Sequence, residues 1–306
     1  MKVEYLIEGS DHRMLPITAW IPTYPRMILH ILHGMTEHMG RYEILAQKLN
    51  QEGILVAGMD LRGHGKSSKD ANCAVMTIKD WDATLKDIQI LNEDLRKRYE
   101  NLPLSMMGFS LGSFLLRDYL AKGEDDIERA IIMGTGDQSS LVLGLLKKTV
   151  MGQVKKAGEE RCTPLVRKLS FETYNKKFVP NHTPVDWLCS DEVERDLYQN
   201  DRLCKKEISS GMFYNLVSSM QRTGEKSTYD KWNKEMPVLL ISGEEDPVGN
   251  EGRGVELVEK KMKAAGMKHV KLCIISQARH DVLHESESGA DKVTIGMIKQ
   301  FLQEEG

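Results

Sequence analysis

The pentapeptide Gly108-Phe109-Ser110-Leu111-Gly112 decides how this chain is read. The apolar run Leu104-Ser105-Met106-Met107 precedes it, and Ser113-Phe114-Leu115-Leu116 begins a helical pattern after it. A serine spaced between two glycines at a strand-to-helix turn is the setting of a nucleophile elbow. Its strained backbone makes Oγ project above the sheet. The residues two before and two after must be small, because strand and helix approach closely there. Gly108 and Gly112 meet that need, and Ser113 keeps the next position small. The start of the helix adds a positive dipole end and free N–H groups. A plain turn with a helix-capping serine would share the pattern. Partner residues elsewhere in the chain therefore have to decide.

A serine hydroxyl is a weak nucleophile and needs a base, which in turn needs an orienting carboxylate. With a serine placed this way the chain order is serine, acid, histidine. The run Pro237-Val238-Leu239-Leu240-Ile241 predicts a strand, and Ser242-Gly243-Glu244-Glu245-Asp246-Pro247 is the acid-bearing turn after it. Asp246 is the expected acid, since it lies beyond the glycine and Pro247 stiffens the turn. Glu244 and Glu245 are close alternatives, and Asp137, after the preceding strand, is a rarer one. Residues 270–275 predict the next strand, and Ser276-Gln277-Ala278-Arg279-His280 follows it. His280 is the expected base, with His284 four residues on as its near double. Upstream, His33-Gly34-Met35-Thr36-Glu37-His38 follows the apolar strand 27–32. That loop is expected to offer the Met35 N–H to a developing oxyanion, with the Leu111 N–H as second donor. The side chains of His33, Glu37 and His38 are expected to brace the loop.

Around these motifs, short apolar runs alternate with longer segments of helical period, which predicts α/β architecture with a mostly parallel sheet covered by helices. Strands are expected at residues 17–21, 27–32, 54–59, 104–108, 129–133, 238–241 and 270–275, and helices at 41–52, 77–99, 111–122, 254–265 and 290–304. Trp81, Leu85, Ile88, Leu91 and Leu95 recur at helical intervals as one stripe facing the sheet. The rhythm breaks between about residues 136 and 230. Residues 141–150 read as an amphipathic helix, and short polar helices are expected to follow. The expected organisation is a core in two pieces, residues 1–136 and 231–306, with an inserted helical cap at 137–230.

Composition narrows the function classes. The chain has 306 residues, enough for one large α/β domain with an insertion. A net charge of -3 gives no reason to expect nucleic acid as a partner. No GxGxxG or P-loop spacing occurs, and no metal-ligand spacing, so no cofactor and no metal are expected. The five cysteines, Cys73, Cys162, Cys189, Cys204 and Cys273, are scattered and odd in number. Free thiols are the expectation. Residues 1–5 contain no apolar run of signal-peptide length, and no segment approaches the roughly 20 apolar residues of a membrane span. Together these predict a cytoplasmic location.

Taken in order, the motifs resemble one family. His33-Gly34-Met35-Thr36-Glu37-His38 is similar to the HGxxEH loop of monoacylglycerol lipases and bacterial lysophospholipase-like hydrolases. Asp60-Leu61-Arg62-Gly63-His64-Gly65-Lys66-Ser67 is similar to their DxRGHGxS segment. The elbow, the acid turn and Ala278-Arg279-His280-Asp281-Val282-Leu283-His284-Glu285 extend the resemblance over nearly the whole core. In the segment 137–230, Thr183-Pro184-Val185-Asp186-Trp187-Leu188 and Asp191-Glu192 also look like bacterial members, while Cys189, Arg202 and Lys205-Lys206 depart from the pattern.

The resemblance implies an eight-stranded α/β-hydrolase core under a lid. It implies cofactor-free hydrolysis of carboxylic esters of single-chain lipids, and a structural role for the Asp60–Ser67 segment. Leu141-Val142-Leu143-Gly144-Leu145-Leu146 then lines an acyl tunnel, touches a membrane surface, or packs on the core. The rival readings are a small-molecule carboxylesterase, or a peptidase of the proline-iminopeptidase kind using Glu159, Glu160 and the acids at 191–194 to hold a substrate amine. A non-catalytic binding protein on the same fold is the remaining alternative.

Overall fold

Where six consecutive residues are apolar or small with at most one exception, as at 27–32, interrupted only by His30, and 54–59, a strand is expected to be covered on both faces. The computed structural model, which describes residues 1–123 and 126–304, bears this out. Residues 124–125 and 305–306, within the two expected core pieces, lie outside the described residues. The strands are β1 (Lys2–Glu8), β2 (Met14–Trp20), β3 (Met27–Leu32), β4 (Ile54–Met59), β5 (Cys73–Ala74), β6 (Leu104–Phe109), β7 (Ala130–Met133), β8 (Glu207–Ile208), β9 (Val238–Gly243) and β10 (Val270–Ile275). Eight of them form one sheet in the order β1-β2-β4-β3-β6-β7-β9-β10. The sheet is mixed: β2 runs antiparallel to both β1 and β4, and every other neighbouring pair is parallel.

The helices are α1 (Glu43–Asn50), α2 (Asp80–Arg98), α3 (Leu111–Leu120), α4 (Ser140–Ala157), α5 (Pro164–Arg167), α6 (Thr173–Asn175), α7 (Glu192–Asn200), α8 (Ser210–Thr223), α9 (Arg253–Ala264) and α10 (Ala290–Gln303). Alternate strand residues feed two cores, one per face of the sheet. Ile28, Leu55, Ala57 and Met106 pack with Trp81, Leu85, Ile88 and Leu91 of α2. Leu29, Ile31, Val56 and Met107 pack with Leu45 and Leu49 of α1 and with Ile298 and Phe301 of α10. Among the described residues no helix is long and apolar enough to cross a membrane.

Helices α4 to α8 all fall between β7 and β9. Helix α8 packs on α3 and α4, and its Met212, Phe213, Val217 and Met220 join the α2-side core. The apolar stretch at the start of α4 divides. Leu143 is buried against that core, whereas Leu141, at 86% exposure, Val142 and Leu145 face outward.

One expectation is overturned. Cys73 and Cys162 form a disulfide, with Cα atoms 6.6 Å apart, and only Cys189, Cys204 and Cys273 are free. The pairing was invisible in the sequence because 89 residues separate the partners. What joins them is tertiary: β5 pairs with β8, and Cys162 bridges to Ser209 just beyond β8. The expected cytoplasmic location thereby loses the support of free thiols. Thiol titration of the unfolded, unreduced chain should return three thiols, and five after reduction. Five before reduction would mean that the bridge does not form in solution. Reduction should also lower Tm, by the loss of about 2–4 kcal/mol.

Candidate active site

Strand β6 delivers Ser110 into α3 through a backbone with φ 50° and ψ -114°. A positive φ is uncommon for a residue with a side chain and is kept only where surroundings over-determine it. Here they do. The Ser110 N–H donates to the Met133 carbonyl at 2.9 Å, and the Ser110 carbonyl accepts from the Ser113 N–H at 2.9 Å and the Ser113 hydroxyl at 2.6 Å. The two glycines are required by contact. A Cβ on Gly108 would lie 2.3 Å from the Gly112 carbonyl oxygen, and one on Gly112 would lie 2.0 Å from that of Leu32.

The end of β9 leads to Asp246 and the end of β10 to His280, both buried. His280 Nδ1 and Asp246 Oδ1 are 2.8 Å apart, and the same Oδ1 accepts the Val248 N–H at 2.8 Å. Since the carboxylate only accepts, Nδ1 carries the proton and Nε2 is left with a free lone pair. Nε2 has no hydrogen-bond partner among the described residues. No Ser110–His280 hydrogen bond is therefore formed. The two residues instead line one small cavity with Met35, Phe109, Trp187, Leu188 and Tyr198. Its volume of about 20 Å³ has room for roughly one water.

The alternative residues go elsewhere. Asp137 forms an ion pair with Lys261. Glu244 is exposed and accepts from Ser276 and Gln277. Glu245 lies 3.9 Å from the Arg279 guanidinium. His284 pairs with Asp281 at 2.9 Å and with Arg41 at 3.2 Å. Burial by itself raises the Asp281 pKa, but His284 and Arg41 outweigh it and hold the carboxyl below its usual range.

The 33–38 loop is braced by its own side chains. The Gly34 N–H donates to Glu37 Oε1 at 2.5 Å, Tyr42 donates to the same oxygen at 2.7 Å, and Arg41 holds Oε2 at 2.9 Å. His33 accepts the Leu61 N–H on Nε2 at 2.9 Å, so its Nδ1–H donates to the Gly34 carbonyl at 2.7 Å. Burial lowers its pKa, in keeping with that neutral tautomer. His38 bonds Asp201 at 2.8 Å, and the Thr36 and Tyr198 hydroxyls meet at 2.6 Å. The Met35 N–H has no protein acceptor among the described residues. Leu111 opens α3, so its N–H has no intrahelical acceptor. Met35 lines the cavity, while Leu111 is buried one residue beyond Ser110 and is not part of its wall.

Arg62 is buried between Asp87, at 2.6 Å, and Asp11, at 2.7 Å, and Asp60 accepts the N–H groups of Met39 and Lys66. The Asp60–Ser67 segment thus ties the loops together and does not reach the cavity.

Sequence reasoning did not foresee that Trp187 packs against His280. The Trp187 ring lies 5.0 Å from the His280 ring, centre to centre. Trp187, Leu188 and Tyr198 also wall a second chamber of about 740 Å³, lined in part by Phe171, Val185 and Lys205. None of Glu159, Glu160, Asp191, Glu192 and Glu194 lines either space. Glu159 accepts the Ile78 N–H at 2.8 Å, and Asp191 caps α7.

With this geometry in view, the resemblances are specific. A sequence profile of the family described as serine aminopeptidase, S33, matches residues 23–287. The human monoglyceride lipase is 27% identical over 282 residues, 90% of this chain and 82% of that protein. A monkeypox virus monoglyceride lipase homolog is 26% identical over 249 residues, 78% of each chain. Among solved structures, a thermostable carboxyl esterase from Bacillus coagulans superposes with a TM-score of 0.86 at 22% identity, over 98% of this chain and 99% of that one. At that identity the likeness shows the α/β-hydrolase fold.

Proposed function

Because this chain belongs to the α/β-hydrolase family described as serine aminopeptidase, S33, and is an ester hydrolase, we propose that it cleaves carboxylic esters of single-chain lipids, monoacylglycerols among them. Ser110, His280 and Asp246 do the chemistry in this reading. The observation that carries it is the buried 2.8 Å His280–Asp246 bond facing the same cavity as a strained, elbow-borne serine. In the neutral ring that bond places the proton on Nδ1, and His280 Nε2 has no hydrogen-bond partner among the described residues.

The reaction is acyl transfer. His280 Nε2 takes the Ser110 Oγ proton as Oγ adds to the ester carbonyl. The Met35 and Leu111 N–H groups receive the developing oxyanion. Asp246 keeps the proton of the resting ring on Nδ1 and stabilises the imidazolium. The alcohol leaves with the proton from Nε2. Water then attacks the acyl-enzyme, with His280 again as base.

Residues 137–230 act as a cap in this reading. The chamber, lined by residues of that segment together with Thr36, falls within the usual range for small-molecule sites, roughly 300–1,000 Å³, and Phe171, Val185, Trp187, Leu188 and Tyr198 give it an apolar wall suited to a single chain. The relatives named as monoglyceride lipases span most of this chain, which supports the same substrate class. An ester reaches Ser110 only when Trp187, Leu188 and Tyr198 turn aside, since these three stand between chamber and serine. The peptidase alternative is disfavoured, because the acids it would use for a substrate amine line neither space.

A hydrolysis profile across acyl lengths and head groups tests the reading. The expected result is turnover of long-chain monoacylglycerol. Turnover confined to short aryl esters would remove the lipid from the proposal.

A further inference from the structure

The 740 Å³ chamber is apolar on the wall it shares with the small Ser110 cavity, but Arg167, Lys176, Lys205 and Lys206 also line it. Its two carboxylates are already committed. Glu207 holds Arg167 at 2.9 Å, and Glu172 lies 3.5 Å from the same guanidinium. The three lysines have no carboxylate within ion-pair distance among the described residues.

Lys205 is the exceptional member. It is 5% exposed, the one lysine counted as buried among the described residues. A buried cation is costly unless it is paired and hydrogen-bonded. Arg41 holds Glu37 and Asp281, Arg62 holds Asp87, and Arg195 holds Asp186, while Arg117, fully buried without a carboxylate, donates to the Thr135 and Tyr229 hydroxyls and to the Gly136 and Thr223 carbonyls. The Lys205 ammonium forms no hydrogen bond to the protein among the described residues, and it is not one of the enclosed nitrogens left without a partner, so the buried stem carries its charge to accessible space. Asp70 feels its charge, but that carboxylate is engaged by the Asn72 and Cys73 N–H groups and lies beyond ion-pair distance of Lys205. The backbone of Lys205 is fixed, its N–H donating to the Thr36 carbonyl at 2.7 Å, one residue from Met35. A lysine whose backbone is pinned and whose side chain has no counter-ion among the described residues thus lines the chamber.

We propose that Lys205, supported by Lys206, forms an anion subsite, and that the preferred substrate is a single-chain ester bearing a phosphate or carboxylate at the end remote from the scissile bond. This rests on the ester-hydrolase reading and deepens it. The anion supplies the partner that Lys205 lacks, and the apolar wall of Trp187, Leu188 and Tyr198 takes the chain between that anion and Ser110.

Matched ester pairs test it with the full chain. One arm compares monohexanoylglycerol with its phosphate monoester, so the anion is on the alcohol side. The other compares methyl hexanoate with monomethyl adipate, so the anion is on the acyl side. In at least one arm the anionic ester is expected to have a kcat/KM about tenfold higher or more, the scale of a hydrogen bond to a charged group. In Lys205→Met that ratio is expected to fall to about one, and in Lys205→Arg to persist. The ratio is read on one folded enzyme, so partial loss of fold does not imitate the effect. Preference for the neutral ester in both arms, or a ratio unchanged in Lys205→Met, overturns the subsite. Calorimetry with hexyl phosphate against hexanol reads the subsite without turnover. Binding of the phosphate alone, lost in Lys205→Met, supports it, and equal or absent binding of both overturns it. No turnover of any ester, with hexyl phosphate still bound, overturns the hydrolase reading and leaves the anion subsite standing.

Discussion

Ser110→Ala is expected to lower kcat on every ester by about a million-fold, the scale seen when the nucleophile of a serine triad is removed. It is also expected to abolish labelling by a fluorophosphonate probe. The change removes one oxygen and keeps Cβ, so the elbow should survive. The bonds that hold the φ 50° conformation run through the Ser110 N–H and carbonyl, to Met133 and Ser113, and none uses Oγ. Thermal unfolding of the variant should match the parent within about 0.5 kcal/mol. That match separates loss of chemistry from loss of fold. Residual catalysis over water should persist at roughly 10³–10⁴, from the oxyanion donors and binding alone. Equal labelling of parent and variant would show that the probe reacts elsewhere, and the proposed role of Ser110 would fall.

The parts of the molecule that were legible in the sequence are those whose cause is local. Strands β3, β4 and β10 begin and end where the apolar runs do, because two-faced burial or a bounded run marks every residue. Helix α2 follows from the Trp81–Leu95 stripe. Strand β1 escaped notice. It lies at the edge of the sheet and exposes most of one face, so Lys2, Glu4 and Glu8 interrupt the apolar signal. The Cys73–Cys162 bridge and the wall of Trp187, Leu188 and Tyr198 have tertiary causes. Each joins segments that no local pattern connects, and the wall makes sense only once the 740 Å³ chamber behind it is seen. The proposed acid lies between these cases. Sequence offered four carboxylates near the ends of two strands. Their partners separate them: Lys261 for Asp137, Ser276 and Gln277 for Glu244, Arg279 for Glu245, His280 for Asp246.

That separation makes the second large prediction. Asp246→Ala removes the only hydrogen bond that the His280 ring makes among the described residues, leaving a buried imidazole with neither orientation nor a counter-charge. A fall in kcat of about 10⁴-fold is expected, as for loss of the acid in other serine triads. Asp246→Asn should lose much less, for a reason particular to this site. The same Oδ1 accepts both His280 Nδ1–H and the Val248 N–H at 2.8 Å. An asparagine oxygen held there by Val248 still accepts from Nδ1–H, so the ring keeps the tautomer with a free Nε2 lone pair. Only the charge is lost, which is worth about 1–2 kcal/mol, or roughly ten- to thirtyfold in rate. Glu244→Gln should leave kcat unchanged, because that side chain is exposed and bonds only the turn after β10. Asp137→Asn should lower Tm by breaking the pair with Lys261, yet the enzyme that remains folded should turn over normally. Steady-state kinetics on one soluble ester, with Tm measured for each variant, decides the matter. If Asp246→Ala keeps more than about a tenth of kcat, or if Asp137→Asn or Glu244→Gln does equal damage at unchanged Tm, Asp246 is not the acid of the site. If Asp246→Asn falls as far as Asp246→Ala, Val248 does not hold the amide in place and the ring has taken the other tautomer.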